Sequence, residues 1–236
     1  MKISSNKNLG YATSIFASIL LGCEGIYVRN INVDEFIITI ARLGIGLIFI
    51  ALYLLVRNQF PKIEFKDISF PLIISGLLLG LIMFFYMQAI NLIPLSSAVF
   101  LLYLGPIIAV GISYLIFKEP ATKLNFILIA LAFVGFLCLL EFKISFDLSK
   151  SKGVLLGAAA GLCYALYIVL NRRIPNNIDS MHRSFYQFLF GFIILLPFLY
   201  TVDSFSIKPK DILLLTGMSF TQGFWHLHLS LLQLSI

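Results

Sequence analysis

Residues Gly10–Arg29, GYATSIFASILLGCEGIYVR, and residues Gly153–Arg172, GVLLGAAAGLCYALYIVLNR, carry one pattern 143 positions apart. The first holds Gly10, Ser14, Ser18 and Gly22 at four-residue spacing and ends on Arg29. The second holds Gly153, Gly157, Gly161 and Ala165 and ends on Arg172. Small residues every fourth position form a single stripe on a helix. Inside a bilayer such a stripe lets helix backbones approach closely, because packing and not water drives association there. A repeat at a fixed offset sets architecture before local detail does. These two stretches therefore predict a duplicated helical membrane protein.

Composition agrees. Of 236 residues, 60% are hydrophobic, 12% are charged and 23 are Phe, and the mean hydropathy is +0.99. A soluble domain of this size does not keep that balance in solution. The hydropathy pattern gives about eight spans of roughly 20 residues, the length that crosses a hydrocarbon core. They run Leu9–Val28, Phe36–Val56, Pro71–Ile90, Ser96–Phe117, Leu124–Leu140, Gly153–Leu170, Phe185–Val202 and Ile212–Leu234. Helices are required because no water satisfies backbone groups at that depth. The last span is the weakest, since Gln222, His226, His228 and Gln233 interrupt it.

Counting Lys and Arg in short loops orients the chain. An N-terminus in the cytoplasm puts ten inside (Lys2, Lys7, Arg57, Lys62, Lys66, Lys118, Lys123, Arg172, Arg173, Arg183) and six outside (Arg29, Lys143, Lys150, Lys152, Lys208, Lys210). That bias accounts for the net charge of +6, which carries no nucleic-acid meaning here. The first span lacks a small-x-small cleavage site and is expected to stay in the mature protein. Cys23, Cys138 and Cys163 show no CxxC spacing, so neither a disulfide framework nor a metal site is expected.

The duplication reaches beyond the ladders. Lys66-Asp67-Ile68 and Lys210-Asp211-Ile212 differ by 144, and Gly46 and Gly191 by 145. Span one thus pairs with six, two with seven and three with eight, so the repeat unit has five spans. An odd number forces the second copy to cross in the opposite sense, the inverted-topology design of secondary transporters.

Several residues, taken in order, carry a resemblance to a known family. They are Gly22 and Arg29 near the end of span one, Ala41-Arg42 in span two, and Phe85-Tyr86 with Ala89 in span three. Pro94, Ser97 and Ala98 follow, then Pro106 in span four and Lys118-Glu119-Pro120 after it. In this order and spacing the chain resembles the EamA-type transporters of the drug/metabolite transporter superfamily. The resemblance implies an all-α integral membrane fold of ten helices in two inverted five-helix repeats, here with about eight present. Residues 1–142 would form the first repeat (helices 1–5) and 143–236 an incomplete second one (helices 6–8). A copy displaced by about 144 would finish near position 285, roughly 50 residues further on. Trp225, His226 and His228 make the ending, about 220–236, atypical of the family. A truncated or frameshifted, transport-inactive chain is therefore one expectation, and a natural eight-helix protein another.

Charges inside spans point to chemistry, since each is costly at the bilayer centre unless paired or hydrated. Glu24 in span one and Arg42 in span two agree in depth to within roughly 5 Å at 1.5 Å rise per residue, close enough to pair. Glu24 is then either a protonatable or cation-binding group tuned by Arg42, or one half of an ion pair that fastens two spans. Gln187 stands at the matching place in span seven. Glu119 and Glu141 lie at span ends beside Lys118 and Lys143, as interfacial charge. His226 and His228 point to different faces of a helix, against joint metal binding.

Tyr86, Tyr103, Tyr164 and Tyr167 are candidate substrate-binding residues, with Gln88, and Ser97 beside them. They fall in spans three, four and six, which the resemblance places around the central cavity. An aromatic body with a polar tip suits weakly polar organic solutes, although aromatics in spans also serve packing and interfacial belts. No HExxH, GxSxG, P-loop or paired intramembrane Asp occurs, and no cofactor or enzyme activity is expected. The expected partners are a small-molecule solute and the lipid bilayer of the cytoplasmic membrane. Proton coupling and a homodimer are left open.

Overall fold

A computed structural model describes residues 30, 31, 33–58, 68–118, 127, 130, 131, 134, 135, 151–175, 178–201, 208–217 and 219. The described regular structure is helical. Among the described residues five helices are long and apolar enough to cross a membrane, which makes this a multi-pass membrane protein. They are α1 (Glu35–Val56), α2 (Phe70–Leu92), α3 (Leu95–Phe117), α4 (Ser151–Asn171) and α5 (Ser180–Leu195). A 3-10 stretch, Leu196–Thr201, continues α5, and residues 209–217 and 219 are helical beyond it. The span expected at Leu9–Val28 lies outside the described residues. So do most of Leu124–Leu140 and the end of Ile212–Leu234.

Short-range chemistry sets the helix ends. Asp34 caps α1, its Oδ1 accepting the Phe36 amide at 2.8 Å, and Asp179 caps α5, its Oδ2 accepting the Met181 amide at 3.3 Å. Each side chain satisfies one of the backbone donors that a first turn leaves open. Lys118 closes α3 with φ 53°, a left-handed cap whose N–H reaches the Tyr114 carbonyl. The seventh span differs from its expected bounds, Phe185–Val202: α5 begins at Ser180. Averaged hydropathy undervalues its first turn, where His182, Arg183 and Ser184 sit, while the Asp179 cap defines it. The α-helix gives way to 3-10 geometry before Pro197, which has no N–H to offer the Ile193 carbonyl.

The chain divides into two compact units, Met1–Gly76 with Ile174–Ile236, and Leu77–Arg173. In the first, α1 and α5 pack antiparallel. The Phe36 and Phe198 rings meet edge-on at 6.2 Å. A Cβ built on Gly44 would lie 3.0 Å from the Phe192 ring, and one on Gly46 would lie 2.6 Å from Phe188. Residue numbers rise on one helix as they fall on the other, so residue i of α1 faces a residue near 235 − i of α5. With the repeat offset of 145, the only repeat-related positions that face each other lie at about 45 and 190. Gly46 and Gly191 stand one residue away, and Gly191 is buried. A local two-fold therefore passes where both repeats supply a glycine, as inverted repeats require. The opening turns of α2 add Leu72, which packs with Ile174, Ile178 and Tyr186.

In the second unit α3 and α4 run parallel. Gly153 lies against Leu92 and Ile93, Gly157 and Gly161 against Leu101, and Gly105 against Gly161 and Tyr164. Further along, Ala109 packs with Ala165 and Val169. Gly153, Gly157, Gly161 and Ala165 are all buried, so the second ladder is the face of α4 that meets α3. Two neighbouring spans of the same sense imply a return crossing between them, and residues 127, 130, 131, 134 and 135 are helical.

Candidate functional site

Each unit contains a group of polar or aromatic side chains at membrane depth. In the first unit Thr39 and Arg42 on α1, Ser75 on α2, and Ser184 and Gln187 on α5 are all buried, with Asp211 and Ser219 further along. Buried polar groups in a span need partners, since lipid supplies none. Gln187 finds one across the unit: its Nε2 donates to Ser75 Oγ at 2.9 Å, and that hydroxyl donates to the Leu72 carbonyl at 2.8 Å. A hydrogen-bonded chain thus ties α5 to the start of α2.

Arg42 is only 7% exposed and is engaged within the protein. Glu24 lies outside the described residues, so the expected Glu24–Arg42 pair does too, together with the ladder Gly10, Ser14, Ser18 and Gly22. The repeat offset makes Gln187 the counterpart of Arg42. It also makes Ser219 the counterpart of Ser75: Ser219 is fully buried and its Oγ donates to the Leu215 carbonyl at 2.8 Å. These serines were missed in the sequence. Their signal was the same 144-residue offset that relates Lys66 to Lys210.

In the second unit three of the candidate tyrosines come together. Tyr164 sits under Gly105, its ring stacks on Tyr167 at 6.5 Å, and Tyr103 lies near it. Glycine at 105 is what lets the Tyr164 ring lie flat on α3, because a Cβ there would stand 2.9 Å from Cδ1. Tyr103 is 57% exposed and presents its ring outward from the α3–α4 seam. Tyr114 lies three turns along the same face and is 56% exposed. Sequence reading passed over it because hydropathy does not mark which side of α3 is open.

Tyr86 and Gln88 are not joined to this group by any described contact. Tyr86 packs on the cluster of Ala89, Ile93, Ala98 and Leu101, and Gln88, two residues on, points roughly 200° away around α2. Ser97 is buried at the start of α3. Among the described residues no group of three His, Cys, Asp or Glu side chains is placed to hold a metal. The described acid–imidazole contact is Asp179 to His182 Nδ1 at 3.7 Å, within the first turn of α5.

Comparison with known proteins adds the lineage. The sequence profile of the EamA-like transporter family matches residues 8–140 and again 151–234. An uncharacterized transporter of Archaeoglobus fulgidus is 25% identical over 196 residues, covering 80% of this chain and 66% of that protein. The threonine/homoserine exporter RhtA of Salmonella typhimurium, in strains SL1344 and LT2, is 31% identical over 137 residues, covering 58% of this chain. This chain spans 43% of the exporter's length. A crystal structure 18% identical in sequence superposes with a TM-score of 0.73, covering 94% of this chain and 79% of the other, which is a likeness of fold alone. With its profile matched twice along an inverted pair of helical repeats, the chain belongs to the EamA-like transporter family.

Proposed function

We propose that the protein is a secondary transporter that moves small metabolites or amino acids outward across the cytoplasmic membrane by alternating access, with its N-terminus in the cytoplasm. The observation that carries this reading is the antiparallel packing of α1 and α5 about Gly46 and Gly191. Repeats of opposite sense give a carrier two quasi-equivalent conformations, one open to each side. Tyr103, Tyr164 and Tyr167 form the solute-contacting surface in this proposal, with Tyr86 and Gln88 as further candidates, while Glu24 and Arg42 serve as a structural or proton-coupling pair. The relatives named as threonine/homoserine exporters support an amino-acid substrate and an outward direction.

The test is efflux. Cells expressing the chain are loaded with labelled threonine, homoserine and a panel of other small amino acids, and loss of label is followed with and without a protonophore. Expression is expected to speed efflux of at least one solute, and Tyr103→Ala and Tyr164→Ala are expected to slow it at least fivefold at equal membrane abundance. No acceleration for any solute would sink the transport reading. Acceleration that both variants retain would sink the tyrosine site. Indifference to the protonophore would remove proton coupling.

A further inference from the structure

The basic residue that ends the second ladder is not used by the transport reading, yet its surroundings are specific. Arg172 follows the last residue of α4, and Arg173 follows Arg172. Both guanidinium carbons sit over the Phe117 ring at the end of α3, at 5.1 and 5.4 Å from its centroid. Lys118, the left-handed cap of α3, comes next and is exposed, as are both arginines. Two cations that share one ring lie no more than about 10.5 Å apart, as the two ring distances require. Arg172 keeps a further contact inside the protein, and the Arg173 amide is fixed to the Leu170 carbonyl at 2.9 Å. The backbone at the end of α4 is therefore set, and from it both guanidiniums reach the one Phe117 ring.

From this the geometry points to a binding site for the phosphate of an anionic phospholipid headgroup, held by Arg172 and Arg173 against Phe117 with Lys118 alongside. Depth agrees: α3 and α4 have 23 and 21 residues, about the thickness of a hydrocarbon core, so their shared end lies at the headgroup level. Charge agrees as well. Two helix C-termini contribute roughly one negative unit between them, which three cations outweigh. A phosphodiester accepts planar N–H pairs from both guanidiniums and removes their mutual repulsion. A general excess of basic residues on one side of the membrane would explain an arginine here. It does not explain two that converge on a ring from the neighbouring helix. The first repeat has Arg29 followed by Asn30 at the equivalent place, so the doubled arginine belongs to the second copy alone.

The experiment uses the purified full chain in detergent micelles, with phosphatidylglycerol titrated in and binding read by native mass spectrometry. Phosphatidylcholine and 10 mM inorganic phosphate serve as separate arms. Each arginine near an anionic surface contributes about fivefold in affinity, so Arg172→Ala/Arg173→Ala is expected to weaken phosphatidylglycerol binding about 30-fold. Arg172→Lys/Arg173→Lys keeps charge and fold and is expected to weaken it less, about fivefold, through loss of the planar stacking fork. Arg57→Ala removes a single guanidinium that stacks on Tyr53 at 5.5 Å and is expected to leave affinity unchanged. The site is overturned if the double alanine variant binds as the parent does, if Arg57→Ala costs as much, or if phosphatidylcholine binds equally. Displacement of lipid by inorganic phosphate would overturn the headgroup as the occupant.

Discussion

Gly161 is the position where one methyl group tests the packing of the second unit most directly. A Cβ there would run into the Leu101 carbonyl oxygen, and on the other side of the seam a Cβ on Gly105 would stand 2.8 Å from the Gly161 carbonyl oxygen. Both obstacles are backbone, so no rotamer change relieves them and the helices have to part. A parting of about 1 Å forfeits a quarter to a half of each dispersion contact across the seam. For the buried Leu101 side chain, with about 50 atom contacts in all of about 0.15 kcal/mol each, that comes to at most about 2–4 kcal/mol. Alanine returns about 0.5–1 kcal/mol relative to glycine within a helix. Gly161→Ala is therefore expected to destabilise the unit by about 1–3 kcal/mol, in the range of other overpacked cores.

The neighbouring glycines supply internal controls. At Gly157 the nearest atom is Leu101 Cδ1 at 2.7 Å, the end of a rotatable side chain, whereas Gly111 has nothing within 4 Å. Gly157→Ala is expected to cost under about 1 kcal/mol, and Gly111→Ala to be neutral or to stabilise by about 0.5–1 kcal/mol. Unfolding in mixed detergent–dodecyl sulfate micelles, followed by circular dichroism, measures the series. The order Gly161, Gly157, Gly111 is the prediction. Equal effects at Gly161 and Gly111 would refute the close backbone approach of α3 and α4.

Two further outcomes follow from the first unit. Ser75→Ala removes the acceptor that stands 2.9 Å from the buried Gln187 Nε2 and is expected to cost about 1–3 kcal/mol. The double variant with Gln187→Leu is expected to recover part of that, with a coupling of about 0.6–1.7 kcal/mol; strict additivity in the same unfolding assay would show that the hydrogen bond contributes nothing. Asp179→Ala is expected to lose about 1 kcal/mol with the α5 cap, and Asp179→Asn to retain most of it. If thermal melts show the asparagine variant losing as much as alanine, the carboxylate acts on His182 and not on the helix end.

The span-level plan was written in the amino acids. Apolar runs of bilayer length, the two small-residue ladders and the recurring offset of 143 to 145 define helices, duplication and inversion, because each depends on spacing along one chain. The bounds read from hydropathy fall within about two residues of α1 to α4, and fail at α5, where the Asp179 cap outweighs an averaged hydropathy that undervalues His182 and Arg183. Apart from the ladder face of α4, what the chain alone could not say is which sides of the helices meet. In lipid a span is apolar nearly all round, so α2 and α3 carry almost no periodic signal of a buried face. Only tertiary structure decided that Gly46 and Gly191 flank a local two-fold, that Gln187 reaches Ser75, and that Tyr103, Tyr164 and Tyr167 gather while Tyr86 and Gln88 point apart. Those are decisions of close packing, made where a missing Cβ or a satisfied amide lets two backbones touch.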